Sequence, residues 1–181
     1  MRKLTTQEMN RLNVADYHNA EKLPAVIVLD NIRSLSNVGA FFRTADAFRI
    51  EAIYLCGITA CPPHREIHKT ALGADESVDW RYFDTTAEAC EHLKSSSYRI
   101  FAVEQVENSI SLNDFEVPEK SAYIFGNEVD GIDDDVLPYC EQAVEIPQEG
   151  TKHSLNVAVT GGIVMYHIFE NLRRKNKIVF F

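Results

Sequence analysis

The chain has 181 residues, 45% of them hydrophobic and 25% charged, which is close to the average of globular proteins. This length predicts one domain with a full hydrophobic core, and the composition excludes collagen-like, low-complexity and wholly disordered chains. The net charge of −9 argues against a nonspecific nucleic-acid binder, because such proteins are normally basic.

Short apolar runs rich in β-branched residues alternate with amphipathic segments, which predicts strands alternating with helices. In chain order, the predicted elements are a strand over 25–29, a helix over about 36–48, a strand over 52–56, a short helical stretch around 67, a strand over 78–83, a helix over about 86–94, strands over 99–103 and 121–125, a helical turn over 133–137, a strand over 143–146 and a helix over about 154–175. Ser36 or Asn37, Thr85 or Thr86, and Ser154 are the predicted helix caps. This alternation predicts an α/β fold with a mainly parallel sheet flanked by helices.

No internal repeat and no Pro/Gly/Ser-rich linker divides the chain. We expect one main domain over 24–175, a polar N-terminal extension over 1–23 with room for a short helix, and a C-terminal tail over 176–181. The N-terminal residues lack the apolar core of a signal peptide, and no apolar run approaches the ~20 residues that cross a bilayer. We therefore expect a cytoplasmic protein with no membrane partner.

The cysteines and histidines favour no metal site. The four cysteines show no CxxC pair and no disulfide-framework spacing, so reduced structural thiols are expected. Cys61, His64 and His68 fall within eight residues, but a zinc site usually needs four ligands with closer cysteine pairs.

Three polar loops follow predicted strands, over 30–43, 126–131 and 147–156. Ligands of parallel sheets bind beyond the carboxyl ends of the strands, so these loops predict one composite site. In the first, Gly39 permits close backbone approach and Arg43 offers a planar fork for phosphate near a helix N-terminus. The alternative is a capped helix whose Arg43 pairs with a surface carboxylate.

The second and third loops each leave a structural alternative open. The second reads Phe-Gly-Asn-Glu-Val-Asp-Gly over 125–131, which is neither a dinucleotide fingerprint nor a Walker A motif. Its acids suit a cationic ligand, hydroxyls or amines, although an ordinary connecting loop is the alternative. The third leads into a helix containing Ala158, Gly161 and Gly162, which allow close approach of a ligand or, alternatively, tight packing on the sheet.

Taken together and in this order, the loops resemble the three motifs of the SpoU (TrmH-type) RNA ribose methyltransferases of the SPOUT superfamily, over about residues 24–173. The first motif, N-x-G-A-x-x-R-T-A, is matched by Asn37, Gly39, Ala40, Arg43, Thr44 and Ala45. The second, F-G-N-E-x-x-G-I, is matched by 125–128, Gly131 and Ile132. The third, I-P-x-x-G-x-x-x-S-L-N-V-A-V, is matched by Ile146, Pro147, Gly150 and 154–159. His153 departs from the family, where many relatives carry an apolar residue such as Met.

The resemblance implies a C-terminal deep trefoil knot, S-adenosyl-L-methionine held by the knotted loops, a homodimer, and methyl transfer to a ribose 2′-hydroxyl of tRNA or rRNA. The cofactor-binding positions carried over are Gly126, Asn127, Glu128, Ile146, Pro147, Gly150, Ser154, Leu155 and Asn156. The catalytic positions carried over are Asn37, Arg43, Glu128, Ser154 and Asn156. The alternative is a noncatalytic RNA-binding or assembly module that keeps the fold, but the intact set of catalytic positions argues for the enzyme.

Arg43 is the expected centre of the chemistry. An arginine resists deprotonation, since its pKa lies above ~12. We therefore expect Arg43 to bind a neighbouring phosphate and stabilise the developing alkoxide, while a phosphate oxygen or water takes the proton. RNA contacts are expected from Arg33, Arg43 and Lys152, because the acidity is local: residues 104–150 carry one basic and 13 acidic residues, whereas 151–181 carry five basic residues and one acidic. The basic helix end at 173–177 either contacts phosphate or complements the helix dipole.

Overall fold

A single sheet organises the fold. The computed structural model of the protein describes residues 1–5 and 7–176. The strands of this part are β1 (Leu23–Asp30), β2 (Ile50–Cys56), β3 (Asp79–Phe83), β4 (Arg99–Val103), β5 (Ile110–Ser111), β6 (Ser121–Phe125) and β7 (Gln142–Glu145). The helices are α1 (Val14–Asn19), α2 (Leu35–Ala47), α3 (Arg65–Ala71), α4 (Ala74–Ser77), α5 (Thr86–Ser95), a 3₁₀ turn (Leu137–Tyr139) and α6 (Val157–Asn176). Apart from residue 176, the expected C-terminal tail lies outside the described residues.

The strand order is β3-β2-β1-β6-β4-β7-β5, and every neighbouring pair is parallel. The predicted α/β fold with a parallel sheet is therefore confirmed. Strands β2 and β3 lie on one side of β1, and all later strands lie on its other side. The strand order therefore reverses between β1 and β6. Leu29 pairs with Phe125 there, which brings the first and second polar loops side by side. Such a reversal is where open α/β sheets bind ligands.

Both faces of the sheet are buried, because the strands read as continuous apolar runs and not as alternating ones. In β1, Ile27 and Leu29 belong to one apolar cluster, and Val26 and Val28 to the other. Helices α2 and α6 cover the first face and α5 covers the second. None of the helices in the described part of the chain is both long and apolar enough to cross a membrane.

Helix α6 approaches α2 closely at one of the small residues. A Cβ on Gly161 would lie 2.2 Å from the Phe41 ring, so only glycine fits at this contact. Gly162 faces open space, where a Cβ would meet nothing within 4 Å. The sequence left ligand approach and packing on the sheet as alternatives for this segment, and Gly161 instead packs on helix α2.

Two predicted helix caps are wrong. In each case a polar residue two or three positions away caps the helix. Helix α2 is capped by Ser34, whose side chain accepts the N–H of Asn37, so Ser36 and Asn37 lie inside the helix. Helix α6 begins at Val157, and Ser154 lies exposed before it. Strand β5 has only two residues, and its pattern was too short to predict it.

Candidate functional site

A cleft of about 710 Å³ lies at the carboxyl ends of β4, β6 and β7. This volume falls within the range of ordinary small-molecule sites, roughly 300–1,000 Å³. Its lining residues come from four segments: 103–106 after β4, 125–132 with 134 and 137 after β6, 145, 146 and 148 after β7, and 153–157 with 160 at the start of α6. The second and third predicted loops thus share one cavity with the segment after β4, whereas no residue of the first loop, 30–43, lines it.

The second loop forms one wall of the cleft and is closed by two glycines. Asn127 and Gly131 exchange backbone hydrogen bonds of 3.0 and 3.2 Å. The Asn127 side-chain oxygen also accepts the N–H groups of Val129 and Asp130, both at 2.9 Å. Gly131 has φ +75°, and a Cβ on Gly126 would lie 2.1 Å from the Gly131 carbonyl carbon. This tight turn therefore requires glycine at both positions.

Asn37 joins the three loops. Its Nδ2 donates to Glu128 Oε1 at 2.8 Å, and its Oδ1 accepts from Asn156 Nδ2 at 3.2 Å. Asn37 is only 9% exposed, so both bonds form largely away from water. One predicted residue from each motif thus meets in a single chain of hydrogen bonds beside the cleft.

Glu128 anchors the start of the first helix as well. Its carboxylate accepts the backbone N–H groups of Arg33 and Ser34, each at 3.3 Å. Burial works to raise the pKa of Glu128, but the hydrogen bonds from Asn37 and from these backbone groups outweigh burial and leave the pKa below its ordinary value. Glu128 is therefore an ionised acceptor at neutral pH.

Asn156 caps α6 with the same side chain that contacts Asn37. Its Oδ1 accepts the N–H groups of Ala158 at 2.9 Å and Val159 at 3.3 Å. Of the other predicted third-loop positions, Ile146, Ser154 and Leu155 line the cleft, whereas Pro147 and Gly150 do not.

A buried carboxylate holds the first loop against the segment that follows the second. Asp30, at the end of β1, accepts from the Thr86 hydroxyl and from the backbone N–H of Asp133 at 3.1 Å. Asn31 Nδ2 donates to the Asp133 side chain at 3.0 Å. Burial raises the pKa of Asp30, although both of those hydrogen bonds oppose the rise. This contact stabilises the alignment of the two loops below the cleft.

Arg43 does not line this cleft. It is exposed on α2, six residues after Asn37, and lines a second cleft with residues of the N-terminal segment and of α6. Of the two other predicted RNA contacts, the Arg33 guanidinium lies 3.4 Å from the Asp130 carboxylate, and Lys152 is exposed on the third loop. Within one copy of the protein, Asn37, Glu128 and Asn156 therefore meet, whereas Arg43 lies at a different cleft.

The segment after β4 is the part of the site that sequence reasoning missed. Glu104 accepts the backbone N–H of Gln105 at 2.9 Å and that of Ile132 at 3.3 Å, which ties β4 to the second loop. Gln105 Nε2 donates to the carbonyl of His153 at 3.4 Å, which ties it to the third. The available signal was a polar Glu-Gln pair directly after a predicted strand, but no motif marked it.

The cleft is acidic. Five of its described lining residues are acids, and none is lysine or arginine; the acids are Glu104, Glu128, Asp130, Asp134 and Glu145. All five belong to the acidic stretch over 104–150, so five of the 13 acids of that stretch line this cavity. Such a lining suits a cationic ligand with amino and hydroxyl donors, and the apolar side chains beside it suit an aromatic ring.

The histidines of the Cys61 segment have structural partners. His64 Nδ1 accepts the N–H of Glu66 at the start of α3, and His68 lies 3.1 Å from Asp75. Within 1–5 and 7–176, no group of three metal-binding side chains comes together.

A parallel sheet with a cleft beyond the carboxyl ends of β4, β6 and β7 defines an α/β protein with a candidate ligand site. Residues 24–166 match the model of the SpoU rRNA Methylase family, and the chain belongs to this family. The resemblance noted from the three motifs is thereby confirmed. A 23S rRNA (guanosine-2′-O-)-methyltransferase, RlmB of Neisseria meningitidis serogroup B, is 30% identical over 94% of this chain. The chain spans 68% of that relative's length.

Solved structures share the fold. The TrmH/SpoU tRNA modifying enzyme of A. aeolicus aligns with a TM-score of 0.80 and 19% identity, over 91% of this chain and 84% of that one. An AdoMet-bound rRNA methyltransferase from Sinorhizobium meliloti has a TM-score of 0.77 and 23% identity, over 93% and 62%. A chain from a structure on the 2-OH methylation of C/U34 on tRNA has a TM-score of 0.72 and 26% identity, over 85% and 97%.

Proposed function

We propose that this protein transfers a methyl group from S-adenosyl-L-methionine to a ribose 2′-hydroxyl of tRNA or rRNA. The observation that carries the proposal is the Asn37 side chain, which contacts Glu128 and Asn156 and so unites all three family motifs at one cleft. The activity in the name of the Neisseria relative supports it.

The acidic cleft is the proposed cofactor site. S-adenosyl-L-methionine supplies an activated methyl group on a cationic sulfonium, and the carboxylates of the lining suit that charge. We assign cofactor contacts to residues of the second and third loops: Gly126, Asn127, Glu128, Ile146, Pro147, Gly150, Ser154, Leu155 and Asn156. The glycine-closed turn at Gly126 and the anchored carboxylate of Glu128 preorganise these loops, which lowers the ordering cost of binding.

The catalytic role falls to the polar residues of the motifs. We assign Asn37, Glu128, Ser154 and Asn156 to ordering the ribose and the loops. Arg43 binds a phosphate next to the target ribose and stabilises the negative charge that develops on the 2′-oxygen. The 2′-hydroxyl proton passes to a phosphate oxygen or to water, because the guanidinium stays charged.

A second copy of the chain supplies the missing arginine in this proposal. An apolar stripe, the α6 stripe, starts at Leu155 just before α6 and continues on the helix with Val159, Ile163 and Tyr166; these residues are 38%, 52%, 39% and 53% exposed. Leu155 also lines the acidic cleft, so the stripe starts at the site. Its other end meets α2, where the rings of Tyr166 and Phe48 lie 5.8 Å apart. A two-fold homodimer through this stripe brings α2 of one copy towards the cleft of the other.

The remaining assignments rest on the family. We propose a methyltransferase domain over 24–175 with a C-terminal trefoil knot, an N-terminal extension over 1–23 and a tail over 176–181. Arg33 and Lys152 add contacts to RNA at the rim of the cleft. The protein acts in the cytoplasm, where its RNA substrates are.

The test is methyl transfer from labelled S-adenosyl-L-methionine into total RNA from cells that lack this protein. Labelled nucleosides are identified by mass spectrometry, with tRNA and rRNA separated first. We expect a 2′-O-methylnucleoside with the natural protein and none with Arg43→Ala. The matched control is Arg99→Ala, since Arg99 is exposed at the start of β4 and pairs with Glu141.

Two results would contradict the proposal. Full turnover by Arg43→Ala rules out every role given to this arginine. No incorporation together with no cofactor binding favours the noncatalytic module instead.

A further inference from the structure

The second cleft, of about 730 Å³, lies between the N-terminal segment, the end of α2 and the last turns of α6. Four of its lining residues are arginines, Arg11, Arg43, Arg49 and Arg173, and two are acids. We call it the arginine cleft. It carries a net positive charge in a chain whose total is −9, so its charge is opposite to that of the acidic cleft.

The arginine cleft keeps a net positive charge, because its four arginines outnumber its two acids. One of them, Asp46, accepts a hydrogen bond from the Ser77 hydroxyl, which occupies one of its oxygens. The Arg173 guanidinium lies over the Phe169 ring, 5.6 Å from its centroid. Arg11, Arg43 and Arg173 are exposed, so their guanidinium groups are accessible to a ligand.

One buried hydroxyl beside this cleft has no partner. Tyr17 of α1 lines the same cleft and is 5% exposed. Its hydroxyl has no hydrogen-bond partner among the described residues. Burying a polar group in this way is costly unless something accepts its hydrogen bond. The hydroxyl itself has no access to the cleft, so the ligand contacts come from the arginines.

The exposed guanidinium groups match the chemistry of an RNA backbone, whose phosphates accept hydrogen bonds from arginine. Arg43 belongs to this cleft and is also the arginine assigned to the phosphate beside the target ribose. The acidic cleft repels phosphate, so the strand needs a different surface on which to continue.

We propose that the arginine cleft binds the sugar-phosphate backbone of the substrate RNA next to the methylated nucleotide, an inference that rests on the proposed function. Arg11 and Arg173 contact phosphates that flank the one held by Arg43.

The test uses fluorescence anisotropy with fluorescein-labelled bulk tRNA from cells that lack this protein, over a range of salt concentrations. Each phosphate contact contributes ~0.7–0.9 to the slope of log affinity on log salt. The double variant Arg11→Gln/Arg173→Gln is therefore expected to bind about 25- to 60-fold more weakly at 0.1 M salt, with a slope smaller by about 1.4–1.8.

Arg174→Gln is the matched control. Arg174 neighbours Arg173 on α6, but it pairs with Glu170 at 3.2 Å and does not line the cleft. We expect this variant to change affinity about twofold or less. Equal losses in the Arg174 variant and in the double variant would overturn the proposal, since they would indicate a general effect of charge.

Tyr17→Phe separates binding from folding. The ring is kept and the unpartnered hydroxyl is removed, so the unfolding temperature is expected to stay the same or rise. RNA affinity is expected to stay unchanged, because the hydroxyl is closed off from the cleft. A loss equal to that of the double variant would overturn the proposal, since RNA binding would then depend on the packing of α1 and not on the arginines.

Three further outcomes distinguish the cleft from the activity itself. If the natural protein methylates RNA and the double variant binds tRNA normally, the arginine cleft is overturned and the proposed function stands. If the natural protein neither binds nor methylates RNA, both fail. If the double variant dissociates to monomers in sedimentation velocity while Arg174→Gln does not, the cleft belongs to a subunit interface and the proposal is overturned.

Discussion

The change Glu128→Gln tests the hydrogen-bond chain at the cleft, because the direction of every bond in that chain is determined. Backbone N–H groups only donate, so the cap of α6 turns Asn156 Oδ1 towards Ala158 and Val159. Asn156 Nδ2 then faces Asn37 Oδ1, and Asn37 Nδ2 must face an acceptor. The carboxylate of Glu128 is that acceptor.

A glutamine cannot replace this carboxylate. Glu128 accepts from Asn37 and Ser34 with Oε1 and from Arg33 with Oε2. An amide has one acceptor oxygen, so in either orientation its NH₂ group faces at least one backbone N–H. A hydrogen bond to a charged group is worth about 1.5–3 kcal/mol, and the exposure of Glu128 reduces this by screening. We expect unfolding to become easier by about 1–2 kcal/mol, which lowers the melting temperature by about 2–8 °C.

The assay is urea and thermal unfolding, with titration calorimetry of S-adenosyl-L-methionine as a second measurement. Glu119→Gln serves as the control, since it makes the same chemical change at an exposed position remote from the motifs. Cofactor affinity should fall with Glu128→Gln, because the loops lose their shared anchor. Equal unfolding free energies for the two variants would refute the reasoning.

Three further predictions concern the turn, the dimer and pH. Gly126→Ala places a Cβ 2.1 Å from backbone and should lower the free energy of unfolding in urea by about 1–3 kcal/mol. Gly162→Ala, at a helix position where the Cβ meets nothing, should raise it by about 0.5–1 kcal/mol. Similar values for both variants would contradict the role of the turn. Ile163→Asp, in the α6 stripe, should shift the sedimentation coefficient from dimer to monomer, while Ile58→Asp at an exposed site outside α6 should not; a dimer that survives Ile163→Asp argues against this interface. The pKa of Glu128 is lower in the folded protein, so the stabilisation by this carboxylate is complete above the ordinary pKa of 4.5 and is lost as pH falls through the lower folded-state pKa. The difference in unfolding free energy between the natural protein and Glu128→Gln should therefore shrink from pH 5 to pH 3. A constant difference would count against an ionised anchor.

The two clefts explain how an acidic chain can act on RNA. The acids of the stretch over 104–150 line the proposed cofactor site, and arginines from distant parts of the sequence line the other cleft. Net charge averages over these two surfaces, so it is a poor guide to the partner in this protein.

The sequence by itself determined the class of fold and the identity of most site residues. Apolar runs of strand length and the helices between them predicted the parallel α/β sheet, because each pattern depends on local burial alone. The resemblance to the three motifs of the family located Asn37, Glu128 and Asn156, which hydrogen bonds join in the structure. Local rules were less reliable at helix starts, where Ser34 and Ser36 are equally good caps and packing selects one.

Only the tertiary structure decided which of these residues meet. The order β3-β2-β1-β6-β4-β7-β5 places the first loop beside the second and brings β4 into the cleft, so Glu104 and Gln105 join the site without any motif. Arg43 lies six residues after Asn37 on one helix, yet Asn37 contacts Glu128 while Arg43 points to another face and lines the arginine cleft. Strand order and side-chain direction depend on contacts between residues far apart in the chain, and a local pattern contains no record of those contacts.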